Sequence, residues 1–172
     1  QSREIAWPVS IEALVRLGRM PHHGARLSAE DHAAVARALD HMGLGDMRSR
    51  TVTRLSGGEQ ARALIARALA QETDLLMADE PIAGLDPAHQ IATMQMFQRL
   101  AADGRAVLVS LHDLGLAARH CARLVVLGQG GIQADGPPAK VLTPDLLARV
   151  FGITAYHAQT PQGHIFQPLE VL

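Results

Sequence analysis

Two hydrophobic periodicities divide the chain. Up to about residue 54 apolar residues recur at helical spacing. "SIEALVRLG" carries them at Ile11, Leu14, Val15 and Leu17. "SAEDHAAVARALDHMGLG" offers Ser28 as N-cap, Glu30 and Asp31 in the first turn and Gly43 near the stop, so two helices joined by polar turns are predicted. Beyond this module, helical stripes alternate with short continuous apolar runs. "EQARALIARALAQ" aligns Ala61, Leu64, Ile65, Ala68 and Leu69, and "DLLMAD" reads as a strand buried on both faces. "LDPAHQIATMQMFQRLAADG" is a helix capped by Asp86, with Pro87 in its first turn and Gly104 at its end. A second buried strand, "RAVLVSLH", and a helix, "DLGLAARHC", follow. "RLVVLGQGGIQADG" predicts an antiparallel hairpin, "TPDLLARVFG" a short helix capped by Thr143 with Pro144 at its start, and residues 153–172 a terminal hairpin around "TPQG".

Strands separated by helices imply an α/β fold with a parallel sheet, in which ligands sit at the carboxyl ends of the strands. Two such ends carry chemistry: Asp79 and Glu80 after "LLMA", and His112 after "VLVSL". Composition narrows the setting. At 172 residues and 48% hydrophobic content the chain can bury a core, and a net charge of -1 gives no global attraction to nucleic acid or anionic lipid. Cys121 is the single cysteine, which excludes an internal disulfide and fits a reducing compartment. No apolar run approaches the roughly 20 residues that cross a bilayer.

Adjacent carboxylates after an apolar strand can serve Mg²⁺-bound water and polarise an attacking water, although two acids there also suit a strand running into solvent. "LSGGEQ" before a helix lets backbone approach a phosphate at the helix N-terminus; Ser56 and Glu59 also have the spacing of a capping box, and the two roles are compatible. His112 could bond a phosphate or cap an element. His22 and His23 are adjacent, poor spacing for metal ligands on one helix face, and are assigned to a loop.

Taken in order, "LSGGEQ", a helix of about four turns, "LLMADEP", "AGLD" and a strand leading to His112 together resemble the nucleotide-binding subunit of ABC transporters. Residues 55–60 match the signature motif, 75–80 the Walker B strand, 83–86 the D-loop and His112 the switch histidine. The segment "QSREIAWPVSIEALVRLGRMPH" resembles the region starting at the Q-loop glutamine, here Gln1. "VRLGRMPH" and "DGPPAKVLTPDLLARVFGI" are similar to the importer subfamily for iron-siderophores, haem and cobalamin.

The resemblance implies a P-loop NTPase (RecA-like) parallel sheet with an ABC helical subdomain. It divides the chain into residues 1–54 (Q-loop and helical subdomain), 55–150 (signature helix and C-terminal part of the ATPase core) and 151–172 (an extension). ATP and Mg²⁺ are the implied cofactors. Gln1 would sense Mg²⁺ and the membrane subunit, and Leu55, Ser56, Gly57, Gly58, Glu59 and Gln60 would present the signature to ATP on the other protomer. Asp79 would support Mg²⁺ directly or through water, Glu80 would be the general base, Asp86 would couple the two sites, and His112 would orient the γ-phosphate. The implied partners are a second ATPase subunit arranged head to tail, transmembrane permease subunits docked on residues 9–54 and, indirectly, a periplasmic binding protein. No nucleic-acid partner is expected, and the implied location is the cytoplasmic face of the inner membrane, held peripherally.

Ile82 departs from the family, which often has Thr there. A larger departure is that no G-x-x-x-x-G-K-[ST] occurs: the lone lysine, Lys140, lies in "GPPAKVL". The aromatic that stacks on adenine is expected further upstream. The expectation is therefore an N-terminally truncated piece of a longer ATPase, inactive alone and left with an apolar edge or face prone to aggregation. Two other readings remain: a non-catalytic module donating its signature to an intact partner, and a soluble ABC protein acting on DNA or ribosomes, for which no insertion or basic patch is visible.

Overall fold

The computed structural model describes residues 7–22, 27–161 and 163–172. Gln1 and His23 lie outside the described residues. Two compact units divide after Ser110.

The first unit begins with a helical bundle. Helix α1 (Ile11–Arg16) is capped by the Ser10 hydroxyl, and α2 (Ala29–His41) by Ser28 and Asp31 in a reciprocal capping box. Helix α3 (Gly57–Leu69) packs against both. Ile11, Val15, Val35, Leu39, Leu44 and Val52 are buried completely or nearly so. Leu17 does not continue the α1 stripe: the chain tightens into a 3₁₀ turn over Leu17–Arg19, which shifts the side-chain phase and leaves Leu17 exposed. The reason lies at Gly18, where an added Cβ would stand 2.1 Å from the Arg67 carbonyl oxygen of α3. On α3 itself, Ala63 and Ala66 are buried along with Ala61, Ile65 and Leu69, whereas Leu64 and Ala68 of the predicted stripe are half-buried.

Buried Arg19 ties this bundle together. Its Nε donates to Asp31 Oδ1 at 2.8 Å, and its Nη1 donates to the Ala70 carbonyl at 2.8 Å and to Glu72 Oε2 at 3.1 Å. One guanidinium thus satisfies the 3₁₀ turn's neighbours on α2 and at the end of α3. The Ser28 backbone N–H and then Arg19 hold the Asp31 carboxyl far below the usual carboxylate range.

Strands β1 (Leu75–Asp79) and β2 (Ala106–Ser110) pair in parallel, joined through α4 (Pro87–Ala102), which Asp86 caps and Pro87 opens. Leu75 stands opposite Ala106, Met77 opposite Leu108 and Asp79 opposite Ser110. The expectation that both strands are buried on both faces does not hold. Leu76 is buried and Ala78, Val107 and Val109 are half-buried, on the covered face of a pair that packs against α4. The other face is open, with Leu75 50%, Met77 65% and Leu108 54% exposed. Continuous apolar runs suit a sheet covered twice, but among the described residues β1 and β2 pair only with each other and one of their faces is uncovered.

The second unit contains α5 (Leu114–His120), capped by Asp113, and the hairpin of β3 (Leu124–Gly128) with β4 (Gly131–Gly136). Gln129 and Gly130 both have positive φ, 49° and 81°, as a two-residue type I′ turn requires. Two short helices, α6 (Pro138–Val141) and α7 (Pro144–Leu146), lead into a π-helical turn at Leu147–Phe151, which left-handed Gly152 ends. Strands β5 (Ile153–Thr160) and β6 (Gly163–Val171) form the terminal hairpin. Leu147, Leu146, Val141 and Leu142 meet Val126, Ala118 and Phe166 in the core of this unit.

Candidate functional site

The glycine-rich turn is built as a helix start. Ser56 Oγ accepts from Glu59 N–H at 3.3 Å, and Glu59 Oε2 accepts from Ser56 N–H at 2.7 Å, closing the reciprocal capping box. That second bond, more than the nearby Arg50, keeps the Glu59 carboxyl below its ordinary value. Leu55 is buried and anchors the turn, while Gln60 donates to the carbonyls of Val52 and Leu55 at 3.4 and 3.3 Å. Gly57 and Gly58 form the first turn of α3, and a Cβ at Gly57 would meet nothing within 4 Å. Bare backbone is therefore open to solvent at a positive helix end, the physical requirement for approach by an anion. A Cβ at Gly58 would lie 3.6 Å from Leu85 Cδ2, so this turn adjoins the loop that follows β1.

At the carboxyl end of β1, Asp79 and Glu80 are tied to a residue that the sequence reading passed over. The Ser110 hydroxyl donates to Asp79 Oδ1, and the same Oγ accepts from the Glu80 backbone N–H at 2.9 Å. Strand register creates this bridge, since Ser110 is the partner of Asp79 across the parallel pair. A polar residue closing the apolar run "VLVS" was the available signal; its partner could be known only from the register. Glu80 has φ 45°, a left-handed backbone that non-glycine residues seldom adopt. In this conformation its N–H reaches Ser110, and the chain turns away from the strand. Ala83 N–H then donates to the Glu80 carbonyl at 3.2 Å, and Gly84 supplies a second left-handed residue with φ 74°.

Asp86 works as a helix cap. Its carboxylate accepts from His89 N–H at 3.0 Å and pairs with His89 Nδ1 at 2.5 Å, and the first of these bonds leads in lowering its pKa. Ile82 is buried together with Leu85, where a hydroxyl would need a partner and an apolar side chain does not.

His112 and Asp113 belong to the second unit and are exposed. Asp113 Oδ1 accepts from Leu116 N–H at 2.8 Å, which starts α5 immediately after His112. His112 stands on the wall of a cleft of about 740 Å³ whose lining includes Arg119, Phe151, His164 and Phe166. Among the described residues no group of three or more His, Cys, Asp or Glu side chains could hold a metal by itself, and no helix is long and apolar enough to cross a membrane. His22, taken from sequence as a loop residue, bonds the Gln71 carbonyl through Nε2 at 2.6 Å.

Comparison with known proteins bears on these geometries. A family model described as ABC transporter matches residues 5–83. The chain is 42% identical over 151 residues to a hemin import ATP-binding protein of Streptomyces coelicolor, covering 88% of this chain and 54% of the relative. It is also 42% identical over 152 residues to a cobalamin import ATP-binding protein of Halobacterium salinarum, covering 88% and 38%. An iron(3+)-hydroxamate import ATP-binding protein of Bacillus subtilis is 38% identical over 165 residues, covering 94% and 61%. The chain thus spans roughly half the length of these curated relatives. Among solved structures, an ABC transporter assigned to the metal-chelate type, in an inward-facing conformation, superposes with a TM-score of 0.85 at 25% identity. It covers 97% of this chain and 69% of that one. A dimeric bacterial ABC transporter cassette gives 0.68 at 26% identity, covering 76% and 57%. The fold is that of the P-loop NTPases, as expected from the sequence.

Proposed function

Because the chain belongs to the ABC transporter ATP-binding family, we propose that it forms the hydrolytic and partner-facing part of an importer's ATPase subunit. Hydrolysis of ATP to ADP and phosphate would drive uptake of a metal chelate: haem, an iron-siderophore or cobalamin. The relatives' names support that substrate class. The observation that carries the ATPase reading is the pair Asp79 and Glu80 at the end of β1, the first held by Ser110 through its carboxylate and the second, left-handed, through its backbone N–H.

These residues fit MgATP. Magnesium in such sites takes one or two carboxylates and completes its shell with phosphate oxygens and water, so a closed protein cage is not needed. Asp79, an exposed carboxylate, suits contact with Mg²⁺ directly or through water. Glu80 takes the proton of the attacking water as general base. His112 orients the γ-phosphate. Leu55, Ser56, Gly57, Gly58, Glu59 and Gln60 present a helix N-terminus to nucleotide held by a second, head-to-tail subunit. Asp86 links the two sites. Gln1, outside the described residues, serves Mg²⁺ and the membrane subunit. The α1–α2 module is the proposed docking face for permease subunits, which would hold the protein at the cytoplasmic side of the inner membrane with a periplasmic binding protein beyond.

The product of the intact gene tests this. Glu80→Gln should lower ATP turnover by ~10²–10⁴-fold while leaving the affinity for a fluorescent ATP analogue unchanged; wild-type turnover in that variant would refute the base assignment. A second reading rests on the open glycine turn at the start of α3: the chain lends its signature turn to another subunit that holds the nucleotide. It gains the advantage if the gene product binds no nucleotide yet raises the turnover of an intact family member.

A further inference from the structure

We propose that Ser110 is a positioning residue that fixes the relative placement of Asp79 and Glu80; the catalytic consequence rests on the ATPase reading above. One hydroxyl serves both residues with opposite polarity. Its proton goes to Asp79 Oδ1, and its oxygen receives the Glu80 N–H at 2.9 Å. Asp79 could otherwise rotate about its side-chain torsions, being exposed at the end of a strand. Glu80 holds a left-handed φ of 45°, a conformation that persists only when surrounding contacts over-determine it, and the bond to Ser110 is one of those contacts, on its N–H side.

The bridge is specific to the register. Asp79 and Ser110 are direct partners in the parallel ladder, and β2 places the hydroxyl on the same face as the carboxylate. An alanine at 110 would keep the strand and its ladder but lose the proton to Asp79 and the acceptor for Glu80. A threonine would keep both, and β-branching suits a strand. Ser110 would not touch the reacting atoms. It acts by holding the carboxylate that faces the cation and the backbone that aims the base.

Two measurements on the intact gene product decide this. In Ser110→Ala, kcat for MgATP should fall ~10–100-fold, the range for losing a group that orients a metal-site carboxylate, with KM changed less than about 3-fold. The Mg²⁺ concentration needed for half-maximal binding of a fluorescent nucleotide should rise over the same range. Ser110→Thr should restore both to within about 3-fold of wild type. The second measurement needs no turnover: amide hydrogen exchange at Glu80 should accelerate at least ~10-fold in Ser110→Ala and not in Ser110→Thr. Unchanged exchange at Glu80, or wild-type kcat and Mg²⁺ dependence in Ser110→Ala, would overturn the proposal. A wild-type protein without ATPase activity would instead remove the functional reading and the catalytic consequence with it, leaving exchange to decide the bridge.

Discussion

The α1–α2–α3 bundle and the β1–β2 pair lie in one unit, yet they finish their interactions differently. In the bundle, Arg19 is 5% exposed and its guanidinium donates three bonds, to Asp31, Ala70 and Glu72, all within this chain. Around β1 and β2, one face leaves Met77 and Leu108 in solvent, and the strand ends leave Asp79 and Ser110 exposed with Glu80 half-buried beside them. The buried ion network of the bundle is thus made within the chain. The strand pair carries both an apolar surface and carboxylates that call for additional groups, which is why the candidate hydrolytic chemistry concentrates there. The start of α3 and the α1–α2 surface are the parts of the bundle proposed to meet partners.

The sharpest test of the self-contained half is Arg19→Ala. It leaves a buried carboxylate and the Ala70 carbonyl without their donor, and removing one member of a buried pair costs ~3–5 kcal/mol. Urea denaturation should show that loss through a lower midpoint with little change in slope. A loss under about 1 kcal/mol, the scale of a surface pair, would mean that Arg19 is not the keystone of the bundle.

Much of the fold was legible in sequence wherever its determinants are local. Ser28 with Asp31, Ser56 with Glu59, and Asp86 with Pro87 specify helix starts within four residues, and each cap forms as read. The hairpin turn at Gln129 and Gly130 and the terminal hairpin are local too. What escaped depends on distant pairing. Leu17 turns outward because Gly18 meets a carbonyl 49 positions along, on α3. Ser110 acquires its role only when β2 is laid beside β1. Periodicity also could not tell a strand covered on both faces from one with an open face, since both read as apolar runs.

The caps allow a finer comparison, because both serines are exposed but Ser28 is bonded to buried Asp31, which Arg19 holds, and Ser56 to half-buried Glu59. Each serine-to-alanine change should cost ~0.5–2 kcal/mol, with Ser28→Ala at the upper end and Ser56→Ala at the lower. Acid should erode both contributions. Asp31 and Glu59 have lowered carboxyl pKa values in the folded chain, so their stabilisation is full above the unfolded carboxyl values of about 4 and is lost as pH falls below them. Urea midpoints measured from pH 7 down to pH 3 would check this. Equal costs at the two serines would erase the distinction between a cap tied to a buried carboxylate and one tied to a half-buried carboxylate.

The smallest expected stability effect belongs to the open face. Met77→Gln together with Leu108→Gln removes apolar surface that the folded 172-residue chain already leaves in water, 65% and 54% exposed respectively. Stability should stay within about 0.5 kcal/mol of the parent chain, as for surface substitutions generally. Self-association should fall, since a contiguous apolar patch favours it, and light scattering at matched concentration measures that directly. A loss of several kcal/mol, on the scale of ~2–5 for truncating a core side chain, would show that these residues are covered when the chain folds. The open strand pair would then be no less self-contained than the bundle, and the contrast between them would fail at the point where it was expected to be greatest.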